Sequence, residues 1–145
     1  MQQASSGSNK IFAMNKVFGC GLDIEELTRF DKHLEKGPFS LMGDICTRRE
    51  LNNPCGNKKV RLALSFSCKE AFFKAFGVSW TNSMISWKDI ELLFNGPGFD
   101  SYKVHLHNHA KNILIKNKAC IGDISFDFND EFVLFQVVLL KQEEG

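Results

Sequence analysis

Nineteen consecutive residues, Lys58–Phe76 (KKVRLALSFSCKEAFFKAF), contain neither glycine nor proline, and Gly77 follows at once. That pattern predicts one long helix with a glycine C-cap. The segment is apolar around most of its circumference, so the helix needs a core on nearly every side. One stripe differs: Ala63, Ser67, Glu70, Lys74 and Gly77 recur at three- and four-residue spacing, a small and polar face on an apolar rod. Glu70 placed four residues before Lys74 is the favoured orientation for a surface ion pair. On a helix with so little exposed surface, the same stripe would instead line a cleft or an interface. A chain of 145 residues is long enough to bury such a helix in one domain.

Around this helix the pattern is mixed. Residues 17–24 (VFGCGLDI) form a short apolar run with two glycines, read as a buried strand with close backbone packing. Leu27, Phe30 and Leu34 predict a helix over 25–36, stopped by Gly37-Pro38. Thr47 with Glu50 three residues on is a capping box for a short helix over 48–53. Residues 87–95 read as a strand, Gly96-Pro97-Gly98 as a turn, 102–107 as a strand and 109–118 as a weak helix. Residues 119–128 and 131–141 read as two strands joined at Asn129-Asp130. Strand, helices and then several strands point to an α+β fold with helices on a mainly antiparallel sheet. Residues 1–16 are polar and read as a flexible N-terminal extension, with the domain at 17–145.

Charge and composition exclude more than they identify. With 43% hydrophobic residues and 14 Phe the chain is not intrinsically disordered, and a net charge of +1 argues against a nucleic-acid binder. No uncharged apolar stretch approaches the ~18 residues that span a bilayer. Residues 1–80 carry 12 Lys/Arg and 8 Asp/Glu, against 6 and 9 in 81–145. The basic first half either scatters its charge over solvent or faces an anionic partner. Five cysteines at 20, 46, 55, 68 and 120 make neither a disulfide framework nor a zinc pattern; Cys20 and Cys68 sit among apolar residues as small core groups.

Two positions invite chemistry. Asp23 follows a buried run, where an unpaired charge is costly. It is either an N-cap completed by Glu26, or a metal ligand at a strand end. His105, His107 and His109 alternate; they are either solvated strand-end groups or ligands on one face.

G-L-D-I-E-E-L-T-R-F at 21–30, C-T-R-R-E-L at 46–51, F-S-C-K-E-A-F-F-K-A-F-G at 66–77 and W-K-D-I-E-L at 87–92 resemble, in order and spacing, the holo-acyl-carrier-protein synthase family of small 4′-phosphopantetheinyl transferases. The resemblance implies that Asp23 and Glu70 hold Mg²⁺ against the pyrophosphate of coenzyme A. It implies Glu70 as general base, directly or through a water, and Lys74, with Lys69 and Gly77, at the coenzyme A phosphates. A serine of an acyl carrier protein would attack phosphorus and 3′,5′-ADP would leave. Arg29 matches a position that grips the acidic carrier; Lys32 and Lys36 are weaker candidates. A homotrimer with active sites between subunits, a cytoplasmic location and a place in fatty acid biosynthesis are likewise implied. The chain departs from the family pattern at Ser65, where many members have Arg, at Val78-Ser79, at Gly96-Pro97-Gly98 and at Phe126, where many have His.

Three readings follow: an active transferase, a non-catalytic relative that binds coenzyme A or a carrier, and an interaction domain in which Asp23 is only a cap and Glu70–Lys74 only an ion pair.

Overall fold

The computed structural model describes residues 15–32, 41–79 and 81–142. Most of the expected N-terminal extension, Leu34, Lys36 and the Gly37-Pro38 stop lie outside them.

The long helix forms as its composition demands. Strand β1 (Asn15–Glu26) comes first, followed by helices α1 (Leu41–Ile45), α2 (Arg48–Asn52) and α3 (Lys58–Phe76). Asn57 caps the start of α3 by accepting from the Val60 N–H at 3.2 Å. Gly77 ends it at φ +75, a left-handed conformation that glycine adopts without a Cβ clash. Strands β2 (Ile90–Phe94) and β3 (Tyr102–Leu106), helix α4 (Asn108–Lys116) and strands β4 (Ala119–Phe128) and β5 (Phe132–Gln142) complete the order.

β1, β5 and β4 form a three-stranded antiparallel sheet in that order, and β2 pairs with β3 in a separate two-stranded one. Val133, Phe135, Val137 and Leu139 of β5 alternate inward and are fully buried. They meet α3, whose Leu64, Cys68, Ala71 and Phe72 are buried to the same degree. This is the α+β architecture expected from the pattern of elements. Among the described residues no helix is long and apolar enough to cross a membrane.

Two helical or strand assignments change. Of the helix expected at 25–36, Glu25 and Glu26 belong instead to β1, Leu27–Phe30 is a 3₁₀ turn, Asp31 and Lys32 are helical, and 33–36 lie outside the described residues. Burial alternates strictly from 21 to 27, with odd positions in and even positions out, and a helix would break that period. The Leu27 N–H, at 2.8 Å from the Glu131 carbonyl, still holds the chain to the sheet. The strand expected at 87–95 begins as a 3₁₀ turn, Trp87–Asp89, because Ser86 and Asp89 form a capping box there. Cys20 is also not a core group. It lies exposed on the outward face of β1, whereas Cys46, Cys55 and Cys68 are buried.

β1 and α3 pack backbone against side-chain-free backbone. A Cβ on Gly19 would lie 1.9 Å from the Ala75 carbonyl oxygen, and one on Gly21 1.9 Å from that of Ala71. No L-residue other than glycine fits either position without moving the helix. Gly21→Ala should therefore cost about 2–3 kcal/mol of stability as α3 is pushed off the sheet. Urea unfolding at equilibrium measures this directly.

Candidate active site

Asp23 sits in the interior of β1, two residues beyond Gly21. The capping reading fails, because the residue that precedes the 3₁₀ turn is Glu26, and its side chain makes no capping bond. Asp23 points inward instead and is buried. Its backbone carbonyl accepts from the Ser67 hydroxyl at 3.1 Å, and its Oδ1 accepts from Lys74 Nζ at 3.1 Å. Lys74 Nζ also donates to the Leu22 carbonyl at 2.9 Å. The small-and-polar stripe of α3 thus lies along β1, where Ser67 and Lys74 bracket Asp23 from two turns of one helix.

Asp23 Oδ2 is buried and, among the described residues, no N–H or hydroxyl reaches it, while a protonated Glu25 carboxyl lies within hydrogen-bond reach of Asp23. An orphaned carboxylate oxygen in the interior is costly unless a ligand completes it. Glu70 lies on α3 between Ser67 and Lys74 and is half-buried. Burial, and then the charge of Asp23, push its carboxyl above the usual range, against the pull of Lys74 and Arg29. Among the described residues no group of three or more His, Cys, Asp or Glu is set to hold a metal ion. Two carboxylates that feel each other's charge, one with an unused oxygen, do fit a hard cation that completes its shell with water and phosphate. Asp23 and Glu70 are the residues that could hold it.

A third carboxylate stands beside them. Glu25 shares the inward face of β1 with Asp23 and is equally buried, at 6% exposure. Burial and the neighbouring Asp23 push it up to about 7, while Arg29 opposes them. Arg29 Nη1 donates to Glu25 Oε1 at 2.6 Å. Sequence reasoning missed Glu25 because it placed the strand end at residue 24. A strand running two residues further would have put 23 and 25 on one face.

Lys69 is a correction. Its side chain is fully buried, and its ammonium is taken by Glu50 Oε1 at 2.8 Å, the Trp87 carbonyl at 3.1 Å and the Ile90 carbonyl. With all three N–H groups spent in the core it has none for coenzyme A. Glu50 is the acid of the expected capping box, accepting from the Thr47 N–H at 3.0 Å, and it also accepts from the Leu92 N–H at 3.1 Å. Glu50 and Lys69 therefore tie α2, α3 and β2 together. Gly77 is exposed at the C-terminus of α3, one turn beyond Lys74. Lys32 is exposed, and Lys36 lies outside the described residues.

The departures from the family pattern have structural counterparts. Ser65 is 1% exposed, and its hydroxyl has no hydrogen-bond partner among the described residues. Phe126 packs edge-on to Tyr102 at 4.8 Å and to Phe94 at 5.9 Å, and stacks on Phe135 at 6.0 Å. Of the alternating histidines at 105, 107 and 109, His107 pairs with Glu91 at 3.1 Å, its ring stacked near that of His105, and His109 is exposed on α4.

Residues 19–126 match the 4′-phosphopantetheinyl transferase superfamily. The chain belongs to this family. A holo-[acyl-carrier-protein] synthase of Geobacter sp. (strain M21) is 37% identical over 116 residues, which cover 77% of this chain and 90% of that relative. The crystal structure of the synthase from Neisseria meningitidis superposes with a TM-score of 0.72 at 25% identity, over 86% of this chain and 98% of that one. That of a Bacillus anthracis synthase in complex with CoA (3′,5′-ADP) gives 0.66 at 27%, over 87% and 98%. Among the phosphopantetheinyl transferases the chain groups with the holo-acyl-carrier-protein synthases, and it is an enzyme.

Two outcomes follow for the phosphopantetheinyl transferase site and its support. Glu25 is raised in the folded state, so its contribution to stability is complete below its ordinary value near 4.5 and is lost as pH rises through about 7. In chelator, Glu25→Gln should therefore gain stability over the parent as pH rises from 5 to 8, by on the order of 2 kcal/mol, read by thermal unfolding. Lys69→Met strands the Glu50 carboxylate in the core and should cost about 3–5 kcal/mol in a urea titration.

Proposed function

We propose that this chain transfers the 4′-phosphopantetheine group of coenzyme A to a serine of an acyl carrier protein, in a Mg²⁺-dependent reaction that releases 3′,5′-ADP. The observation that carries the reading is the junction of Asp23 with Lys74 across the β1–α3 contact, with Asp23 Oδ2 left open and Glu70 beside it. The resemblance assigns the metal and the pyrophosphate to these same residues, which supports the reading. The coenzyme A bound in the Bacillus anthracis relative supports the choice of donor.

The chemistry asks for placement and charge neutralisation more than for covalent help. When bound at Asp23 and Glu70, Mg²⁺ supplies neutralisation of the pyrophosphate charge. Lys74 gives two of its three N–H groups to Leu22 and Asp23, and keeps the third for a phosphate oxygen. Glu70, raised by burial and by Asp23, is suited to accept the proton of the serine hydroxyl. The serine oxygen forms its bond to the β-phosphorus as the bond to the 3′,5′-ADP oxygen breaks. Gly77 and the turn after it contribute to the coenzyme A cradle, and Arg29, exposed beside the acids, receives the acidic carrier.

We infer further that the enzyme works as a homotrimer in the cytoplasm and serves fatty acid biosynthesis. Val17, Leu22 and Ile24 are exposed along the outer face of β1, and a neighbouring subunit would cover them.

The experiment is incubation with apo-carrier, coenzyme A and Mg²⁺, followed by intact mass. The parent should add one phosphopantetheine to the carrier. Asp23→Ala and Lys74→Ala should each lose about a hundredfold or more in rate while remaining folded. A parent that binds coenzyme A and the carrier yet yields no adduct would establish the non-catalytic reading. Asp23→Ala with full transfer would remove Asp23 from the site.

A further inference from the structure

Glu25 has no part in the transfer chemistry as described, yet it occupies an expensive place. It is 6% exposed on the strand face that packs against α3, where an apolar side chain would fit without penalty. Among the described residues its ion-pair partner is Arg29, four residues on, at 2.6 Å. The two ends of this pair differ sharply: the Glu25 side chain is 7% exposed and the Arg29 side chain 62%. The pair therefore has one anchored end and one end in solvent.

That asymmetry has a purpose if Arg29 receives the carrier. A free arginine on the surface loses up to about 2 kcal/mol of rotamer freedom when a partner immobilises it. Fixing it beforehand removes much of that loss from the docking step. Glu25 engages Nη1 alone, and among the described residues Arg29 has no other partner. The rest of the guanidinium fork stays available for a carboxylate of an incoming protein. Arg29 is also close enough for its charge to act on Glu70.

We propose that Glu25 is a positioning residue, which holds the Arg29 guanidinium beside the Asp23–Glu70 pair so that an acidic carrier docks with its serine in register with the reaction centre. The inference rests on the carrier-docking role given to Arg29 above. Charge alone predicts the reverse. When ionised, Glu25 is an anion beside a surface that binds an anion, so a mere bystander would repel the carrier, and its removal would tighten binding.

The test is steady-state transfer with varied carrier and varied coenzyme A in the parent, Glu25→Ala, Glu25→Gln, Arg29→Ala and the Glu25→Ala/Arg29→Ala double variant. Glu25→Ala should raise the KM for carrier about threefold to tenfold, the effect of a lost charge-assisted hydrogen bond, with kcat and the coenzyme A KM within about twofold of the parent. Glu25→Gln keeps an acceptor oxygen for Arg29 and should raise it less. In the Arg29→Ala background, Glu25→Ala should change nothing further. A carrier KM that falls or stays put in Glu25→Ala, while Arg29→Ala raises it, overturns the inference and leaves the proposed function standing. A loss confined to kcat overturns it too, since Glu25 would then act in the chemistry. An Arg29→Ala enzyme with the parent's carrier KM removes the docking role and the inference with it. If Glu25→Ala does not fold by circular dichroism, Glu25→Gln carries the same comparison.

Discussion

The site depends on one close approach, between a strand that has shed its side chains and a helix that has nearly done so. Gly19 faces Ala75 and Gly21 faces Ala71. The next step of the same ladder brings Asp23 to Ser67, whose hydroxyl reaches the Asp23 carbonyl. Two residues of a strand advance about 6.6 Å and four residues of a helix about 6.0 Å, so the two elements stay in step for this short distance. The match sets Asp23 at the depth where Lys74 can reach it from the turn that follows Ala71. Neither residue needs a loop to position it. The geometry is as stiff as the secondary structure that carries it.

The long helix was legible to the residue, because nineteen residues without glycine or proline end at Gly77, and the structure adds Asn57 as the cap at its start. So was the capping box of Thr47 and Glu50. The segment after Ile24 was not, since Leu27, Phe30 and Leu34 carry a helical period while Asp23, Glu25 and Leu27 carry a strand period over the same residues. Pairing with β5, which runs to Glu26 opposite Phe132, decided between them. Lys69 misled for another reason. The resemblance set it with Lys74 at the coenzyme A phosphates, and in sequence it adjoins Glu70, but one residue is about 100° around a helix. That rotation carries it off the polar stripe and into the core, where its partner is an acid already assigned to a cap.

The basic first half of the chain also acquires a different meaning. Arg29, Arg49, Lys59, Lys69 and Lys74 are each paired with a carboxylate, and Arg61 is buried against the carbonyls of Cys55 and Leu51. Among the described residues, part of the excess of cations is therefore neutralised in ion pairs, and Lys69 and Arg61 are spent in the core, while Arg29 and Lys74 keep exposed side chains beside the acids. On the proposed function, selectivity for an acidic carrier comes from where two or three cations stand, not from net charge.

Helix α3 carries the proposed site groups Glu70 and Lys74 and much of the core on the same nineteen residues. Ala71, Phe72 and Phe73 lie between Glu70 and Lys74, and all three are buried. A substitution that repacks this stretch shifts an acid on one side and an amine on the other. The enzyme's freedom to drift is correspondingly uneven. The outer faces of β4 and α4 can vary with little consequence, whereas along α3 a change that alters folding alters turnover as well. In a lineage descended from such a chain, the history of the fold and the history of the activity would be written in the same few codons.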